Sequence, residues 1–176
     1  MEPNTCAFTG HRPFKFPWKY DESDFRCAAL KKALSEQIAG LIKDGVTAFS
    51  CGMALGTDLW AAKSVLAFRQ KNPHLKLYCF LPFEGQADKW PLAAQSEYHQ
   101  ILSQADLAEY VCKDYHKGCM LERNRVLVDS AHQLLAVYNG EFRGGTAATI
   151  RYAQKTGREI IIIDPLSLCI SYINKG

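Results

Sequence analysis

The sequence predicts an α/β fold, namely a Rossmann-like three-layer sandwich with a mostly parallel sheet of five or six strands. Short apolar runs alternate with longer stretches of helical periodicity along the chain, which is the pattern of repeated βαβ units. Most of these runs lack polar alternation, as strands do when both faces of a parallel sheet are covered. A closed barrel would need more strand-helix units, so an open, doubly wound sheet is favoured.

The predicted elements follow one another with short connections. The strands are expected at residues 5–10, 46–52, 75–83, 108–112, 132–140 and 158–164. The helices are expected at residues 23–43, 57–69, 93–104, 119–130 and 146–156. Gly45 and Gly157 each follow a helix at a C-cap position, directly before the next strand.

Length and charge indicate an ordinary globular chain. Its 176 residues suit one domain, residues 1–176, with a large core. The formal net charge of +3 is spread along the chain, and the longest basic run, Lys31-Lys32, is too short for a nucleic-acid arm. We therefore do not expect nucleic acid as a partner, whereas cations that converge on one cleft would favour a small anionic ligand.

The N-terminus and the cysteines bear on compartment and metals. The opening MEPNTCAFTGHRP lacks the charged start and long apolar core of a signal peptide, and no apolar run reaches membrane-spanning length. The seven cysteines show no CxxC spacing, which argues against zinc and disulfides. We expect a cytoplasmic protein without membrane contact, metal or cofactor.

Candidate binding residues lie in the loops that follow the strands. In an open parallel sheet, ligands bind at the carboxyl ends of the strands, beside the point where the strand order reverses. The loops there are TGHRP (9–13), CGMALGTD (51–58), LPFEGQADKWP (81–91), KDYHKGCMLERNR (113–125) and YNGEFRGGTAAT (138–149). Structural loops rarely need so many glycines and cations at one edge, so we expect a ligand site there.

The loop after the second strand is predicted to hold a ligand. Gly52 and Gly56 leave room for backbone N–H groups to approach it, and a helix begins at Thr57 with its positive dipole end exposed. Asp58 has two interpretations that spacing does not separate. It is a helix-start carboxylate that interacts with the dipole, or an acceptor for ribose hydroxyls.

The loop after the fifth strand repeats this pattern. Gly144 and Gly145 precede a helix that opens at Thr146, which indicates a phosphate cradle at the same edge. A Gly-Gly turn alone is usually only a tight connection, and Arg143 beside it has solvation as its simplest explanation.

Two further groups of residues suit an anionic ligand. Gly10, His11 and Arg12 form a short turn after the first strand, where the planar guanidinium fork suits phosphate; a structural histidine is the alternative. Arg123 and Asn124 are expected in the first turn of the helix that begins at Cys119, where a cation opposes the dipole unless a ligand or acidic partner compensates.

Aromatic residues have simpler explanations. Trp60 is expected in the core. Trp90 and Phe83 lie in the long loop 82–91, a candidate pocket flap, where stacking on a base and ordinary packing are both open. No spacing supports a Ser-His-Asp or Cys-His arrangement, so no catalytic residue is predicted.

Taken together, these loops resemble those of the YpsA-like proteins of the SLOG superfamily, a Rossmann-like group that includes the LOG-type phosphoribohydrolases and DprA-like proteins. TGHRP, GMALGTD, LPF…W and ERN…GGT carry the resemblance, which spans roughly residues 4–165. It implies a nucleotide-type, ADP-ribose-like ligand in the predicted crevice, and LOG-like relatives suggest a homodimer.

One departure from the LOG-type pattern concerns catalysis. The resemblance places Arg123 at the family's catalytic arginine, but Asn124 stands where those hydrolases have lysine, and Thr149 stands where their GGxGTxxE motif has its glutamate. Cleavage of an N-glycosidic bond needs a carboxylate, for which only Asp58 or Glu84 could substitute.

Three functions therefore remain open from the sequence. The first is a nucleotide-binding sensor or regulatory domain without strong catalysis, which the missing glutamate favours. The second is a hydrolase of nucleoside phosphates or nucleotide sugars. The third, single-stranded DNA binding by analogy with DprA, is disfavoured by the scattered charge.

Overall fold

A computed structural model of the chain describes residues 4–176 and confirms the predicted fold class. It contains one sheet of seven strands in the order β4-β3-β2-β1-β5-β6-β7. The strands are β1 (Thr5–Gly10), β2 (Ala48–Cys51), β3 (Lys76–Leu81), β4 (Leu107–Tyr110), β5 (Gln133–Val137), β6 (Glu159–Ile163) and β7 (Ile170–Ile173). The helices are α1 (Phe25–Lys43), α2 (Thr57–Arg69), α3 (Leu92–Gln104), α4 (Cys119–Asp129) and α5 (Gly145–Lys155), with a 3-10 turn at Pro13–Lys15.

The order of the strands reverses at β1. From β1 the chain builds outwards through β2, β3 and β4, and then returns to add β5 on the other side of β1. All of these neighbours pair in parallel. Gly10 lies opposite Val137 in the β1–β5 register, so the loops after these two strands start side by side.

Both faces of the sheet are covered, which gives the three layers. On one face, α1 buries the stripe Cys27, Leu30, Leu34, Ile38 and Leu41, and packs beside α2 in a core that also includes residues of α3. On the other face, α4 and α5 pack on a second core formed by residues such as Leu127, Leu134 and Ile150. Burial of these apolar side chains is the main contribution that stabilises the sandwich.

The two edges of the sheet differ from the sequence prediction. β7 was not predicted; it pairs antiparallel with β6, and none of its four residues is buried, so it lacks the apolar run typical of a covered strand. β4 is found where expected, yet all of its residues are exposed because it forms the opposite edge. Within residues 4–176, no helix has the length and apolarity required to cross a bilayer.

Candidate functional site

A cavity of about 650 Å³ opens at the carboxyl ends of β1 and β5, where the strand order reverses. Its walls come from the loop after β1, the loop after β5, and the starts of α2, α4 and α5. This volume falls in the range of about 300–1,000 Å³ that is typical of small-molecule sites. The position is the one that open parallel sheets use for ligands.

The structure brings most of the predicted site residues to this cavity. Those that line it are Gly10, His11, Arg12, Asp58, Arg123, Asn124, Gly144, Gly145 and Thr146. Gly52, Gly56 and Thr57 are not part of the lining. Instead, they hold the lining residues in place from behind, as their contacts show.

Gly52 makes room for Arg123. The Arg123 side chain is only 3% exposed, and its Nη1 donates a hydrogen bond to the Gly52 carbonyl oxygen. A Cβ atom at position 52 would lie 2.6 Å from the Arg123 Cζ atom, which is closer than real Cβ atoms approach. The absence of a side chain at position 52 therefore allows the guanidinium to sit against the loop after β2.

The remaining donors of Arg123 have few partners. Its Nε donates to Asn124 Oδ1 at 2.9 Å, while among residues 4–176 the partner of Nη2 is the Met120 sulfur atom at 3.9 Å. A guanidinium carries five N–H donors, so donors remain available for a ligand. Because α4 begins at Cys119, Arg123 lies in the second turn of the helix, whereas the sequence placed it in the first. Its burial is therefore a more unusual feature for an arginine than its position relative to the helix dipole.

Thr57 and Gly56 join the start of α2 to the turn after β1. The Thr57 hydroxyl donates to the His11 carbonyl oxygen at 3.0 Å, and Gly56 packs against the ring of Pro13. A Cβ at Gly10 would lie 2.5 Å from the Thr57 Cγ2 atom, so glycine is needed for this close approach. The N-terminus of α2 is thereby fixed next to the end of β1.

His11 has a structural partner on the neighbouring loop. It is 4% exposed, and its Nε2 accepts a hydrogen bond from the Asn139 backbone N–H at 3.1 Å. Nε2 must therefore carry a lone pair, which places the proton of the neutral ring on Nδ1. Burial lowers the pKa of His11 below its ordinary value of 6.5, against smaller opposing effects of Asn139 and Glu141.

Asp58 is a buried carboxyl group in the cavity wall. It is 6% exposed, and its Oδ2 accepts a hydrogen bond from the Ala54 backbone N–H at 3.1 Å. Burial raises the pKa of Asp58 above its ordinary value of 3.8, although Arg123, the Ala54 hydrogen bond and Arg12 act in the opposite direction. Within residues 4–176, no ion pair shorter than 4.0 Å joins Asp58 to Arg123.

The cations of the lining outnumber the acids. Arg12 and Arg143 are exposed, and Arg12 Nη2 lies 3.7 Å from the Met120 sulfur atom. Lys15 forms an ion pair of 2.6 Å with Glu141, so these two charges compensate each other. The other charges are Arg12, Arg123 and Arg143 against Asp58, so the cavity has a positive balance that favours an anionic ligand.

Several lining residues were not predicted from the sequence. Phe14 is 50% exposed, and Lys15 and Glu141 form their ion pair beside it. Their adjacency to TGHRP and RGGT was the only available signal, because the cross-chain pairing of Lys15 with Glu141 depends on the fold. Met120 precedes the predicted Arg123 by less than one helical turn.

The aromatic residues of the third loop lie elsewhere. Trp90 packs edge-on against Tyr98, and Phe83 packs edge-on against Tyr115; neither lines the cavity. Packing is therefore the correct interpretation for both, and loop 82–91 does not form a flap over this cavity. Trp60 is buried and stacks with Phe16 in the core, as predicted.

The position of the LOG-type glutamate contributes nothing to the cavity. Thr149 is 2% exposed, and its hydroxyl donates back to the Gly145 carbonyl oxygen at 2.8 Å. The carboxyl groups of the lining are Asp58 and Glu141, whereas Glu84 is not among the lining residues. The site thus offers one buried carboxylate and one that is paired with Lys15.

A separate group of side chains has the composition of a metal site. Cys112, His116 and Cys119 lie in and just after the loop that joins β4 to α4. They are outside the cavity lining, although the helix that starts at Cys119 continues into it.

Comparisons with known proteins agree with the sequence resemblance. The model of the YspA SLOG family (YpsA) matches residues 6–168. UPF0398 protein BH1768 of Halalkalibacterium halodurans is 34% identical over 128 residues, which covers 72% of this chain and 68% of that protein. A UPF0398 protein of Bacillus thuringiensis is 32% identical over 154 residues, covering 86% of this chain and 83% of the relative.

A solved structure shares the fold. It is described as showing the single-stranded DNA binding mode of DNA processing protein A from Helicobacter pylori. The TM-score is 0.62 at 19% identity, and the match covers 92% of this chain but only 66% of the other. The expectation that nucleic acid is not a partner was wrong. It rested on the scattered charge of the chain, yet DNA processing protein A, a protein of this fold, binds single-stranded DNA. The match over residues 6–168 and the curated relatives show that the chain belongs to the YspA SLOG family.

Proposed function

We propose that residues 1–176 form a single nucleotide-binding domain whose cavity takes a phosphate-bearing, ADP-ribose-like ligand, and that the domain acts as a sensor or regulatory module. The observation that carries this proposal is the convergence of three helix starts and several cations on one cavity. The starts of α2, α4 and α5 all contribute to its lining, together with Arg12 and Arg143.

Phosphate is the group that best fits this arrangement. The first N–H groups of a helix have no partner within the helix, and the positive end of the dipole favours an anion. Gly144, Gly145 and Thr146 present such a start at the cavity. Arg12 and Arg143 supply exposed guanidinium groups, whose planar forks pair with phosphate oxygens.

Asp58 and Arg123 suit the other polar groups of a nucleotide. Both are buried in the wall and are not paired with each other within 4.0 Å, so a ligand can contact both. The Asp58 carboxylate accepts hydrogen bonds from ribose hydroxyls, and free donors of Arg123 bind a phosphate oxygen. Phe14, half exposed at the same cavity, offers a surface on which a base stacks.

A ligand panel tests this proposal. Thermal unfolding would be followed with AMP, ADP, ATP, ADP-ribose and inorganic phosphate, and binding ligands would then be titrated calorimetrically. A ligand present at 100 times its dissociation constant stabilises the folded state by about 2.7 kcal/mol. We expect ADP-ribose or a nucleoside phosphate to give such a shift.

Arg12→Ala provides the matched test of the site. Because Arg12 is exposed and makes no ion pair among residues 4–176, its loss should spare stability. Loss of a charged hydrogen bond of about 1.5–3 kcal/mol should weaken binding roughly ten- to a hundredfold. Arg125→Ala is the control, since Arg125 is also exposed but lies outside the lining. Equal losses in the two variants, or no binding by any member of the panel, would contradict the proposal.

Single-stranded DNA binding is a second candidate function. It is favoured by the likeness to the DNA processing protein A structure and by exposed Arg12, Arg143 and Phe14 at the cavity. Cationic groups beside an aromatic ring are the elements from which single-strand grooves are built. A labelled oligonucleotide would be titrated at several salt concentrations, because binding through phosphates weakens steeply as salt rises. Competition by ADP-ribose would show whether both ligands use the same cavity.

A further inference from the structure

Four potential metal ligands meet where the β4–α4 loop runs into α4. The ligand atoms of Cys112, His116 and Cys119 all lie within 4.8 Å of one another. The Glu122 carboxylate adds a fourth donor, with Oε2 at 3.1 Å from Cys112 Sγ and 3.7 Å from His116 Nε2. Cys112 and Cys119 are buried, whereas His116 and Glu122 are exposed, so an ion can enter from solvent.

This donor set is one that Zn²⁺ prefers. Zinc binds thiolate, imidazole and carboxylate in tetrahedral geometry, with bonds of about 2.0–2.3 Å that place ligand atoms about 3.3–3.8 Å apart. The ligand atoms of Cys112, His116 and Cys119 need to close by only about an ångström to reach that spacing, and the Glu122 carboxylate already lies within it of Cys112 and His116. Two sulfur ligands make the set unsuitable for Mg²⁺ and Ca²⁺, which take oxygen ligands.

The surroundings already orient two of the ligands. His116 Nδ1 lies 3.1 Å from the Lys117 carbonyl oxygen, and when it donates there it leaves the lone pair on Nε2, the atom beside Glu122. Metal-binding histidines commonly have such a backbone partner. Cys119 Sγ accepts a hydrogen bond from the His116 backbone N–H at 3.0 Å, and this contact holds the sulfur at the first residue of α4.

We propose that Cys112, His116, Cys119 and Glu122 bind one structural Zn²⁺ ion, which ties the β4–α4 loop to the first turn of α4. The spacing C-x3-H-x2-C-x2-E is not a CxxC pattern, which is why no metal site was expected from the sequence. Cys112 lies before residues 113–118 of the loop and Cys119 lies directly after them, so the fold brings the two thiols together across this segment. An ion at this position holds the helix whose residues Met120, Arg123 and Asn124 line the cavity.

Cobalt titration of the whole chain tests the site. The purified protein would be stripped of metal with a chelator, its thiols reduced under argon, and Co²⁺ added. We expect one equivalent to produce the intense visible bands of tetrahedral cobalt together with thiolate charge transfer, and Zn²⁺ to abolish both. Zinc should also raise the unfolding temperature of the chelator-treated protein.

Matched variants identify the ligands. His116→Ala removes an exposed side chain and should leave the metal-free protein as stable as wild type, yet weaken Co²⁺ binding by at least about a hundredfold, because even groups behind the ligands typically contribute about 10–100-fold. Cys112→Ser should have the same effect. Cys169→Ser and His74→Ala, which change exposed residues outside the cluster, should bind like wild type.

Three results would overturn the zinc site. They are a fully reduced wild-type chain that binds no stoichiometric Co²⁺ or Zn²⁺, a weak octahedral cobalt spectrum, and equal affinity in wild type and His116→Ala. None of these measurements involves a nucleotide, so their outcome is independent of the function proposed for the cavity.

Discussion

The guanidinium of Arg123 donates a hydrogen bond to the carbonyl oxygen of Gly52, across 71 residues of sequence. This contact joins α4, on one face of the sheet, to the loop after β2. It also shows that Arg123 is part of the packed interior rather than an exposed residue at a helix start. Loss of Arg123 should therefore affect folding as well as binding.

Arg123→Ala should lower both stability and affinity. The variant loses a buried, charge-assisted hydrogen bond and leaves the Gly52 carbonyl without it, which should cost about 1.5–3 kcal/mol of unfolding free energy. Urea denaturation measures this change. The control Arg125→Ala, which loses only an exposed contact of the guanidinium with the Tyr152 ring, should cost no more than about 1 kcal/mol. An Arg123→Ala variant as stable as wild type would mean that the contact contributes nothing to folding.

Gly52→Ala and Gly40→Ala should shift stability in opposite directions. At position 52, the new methyl group would meet the buried Arg123 guanidinium at 2.6 Å, and such overpacking typically costs about 1–3 kcal/mol. At position 40, in α1, an added Cβ atom would meet no atom within 4 Å apart from the adjacent backbone of its own helix. Alanine should therefore stabilise the helix by about 0.5–1 kcal/mol. Thermal and urea unfolding of both variants test the pair. A destabilisation of similar size at both positions would indicate that the chain tolerates neither substitution, and would contradict the claim that Gly52 specifically makes room for Arg123.

Asp58→Asn should stabilise the protein at neutral pH. Burial raises the pKa of Asp58, so its contribution to stability is fully present below the ordinary value of 3.8 and is lost as the pH rises through the folded-state pKa. A neutral amide avoids this loss and still offers an oxygen to the Ala54 N–H. The gain in unfolding temperature should therefore shrink as the pH approaches 3.8. If the proposed function holds, the same variant should bind its ligand more weakly.

Asp164→Asn is the control with the opposite sign. Hydrogen bonds from the Ser167 and Leu166 backbone N–H groups outweigh burial and lower the pKa of Asp164. Its contribution is present above 3.8 and is lost as the pH falls through the lower folded-state pKa, so asparagine should destabilise the protein at neutral pH. Parallel shifts in the two variants would contradict the assignment of Asp58 as a group that folding disfavours in its charged form.

Wild-type protein should release little or no base from a nucleoside monophosphate panel. General acid–base groups contribute about 10²–10⁴-fold in rate. At the position of the LOG-type glutamate this chain has Thr149, whose buried hydroxyl cannot replace a carboxylate. Thr149→Glu should not create activity, because it would bury a carboxylate on the packed side of α5. The variant should therefore have a lower free energy of unfolding than wild type. Chromatography of reaction mixtures is the measurement, with Arg123→Ala as the control. Robust turnover by wild type that is absent in Arg123→Ala would place the hydrolase hypothesis first.

The extent to which the sequence predicted the fold depends on burial. The covered strands and the amphipathic helices were found within a few residues of their positions, because burial imposes a period on their residues. β7 had no such signal, since it is an exposed edge strand. At the cavity, glycine and arginine in post-strand loops pointed to Arg12, Asp58 and Gly144, and all three line the cavity. The supporting roles of Gly52 and Thr57, and the pairing of Lys15 with Glu141, depend on contacts between distant segments that spacing does not encode.

The central position of β1 has a consequence for how the cavity forms during synthesis. β1 is synthesised before the other strands of the sheet, and β2, β3 and β4 can add to one side of it in the order in which they are made. The opposite wall must wait, because α4, β5 and the start of α5 come from the second half of the chain. A nascent chain that ends before α4 therefore has only the four strands β1 to β4 and lacks the cavity wall that α4 and α5 form. A ligand that contacts both walls can therefore bind only after the chain has been made through the start of α5.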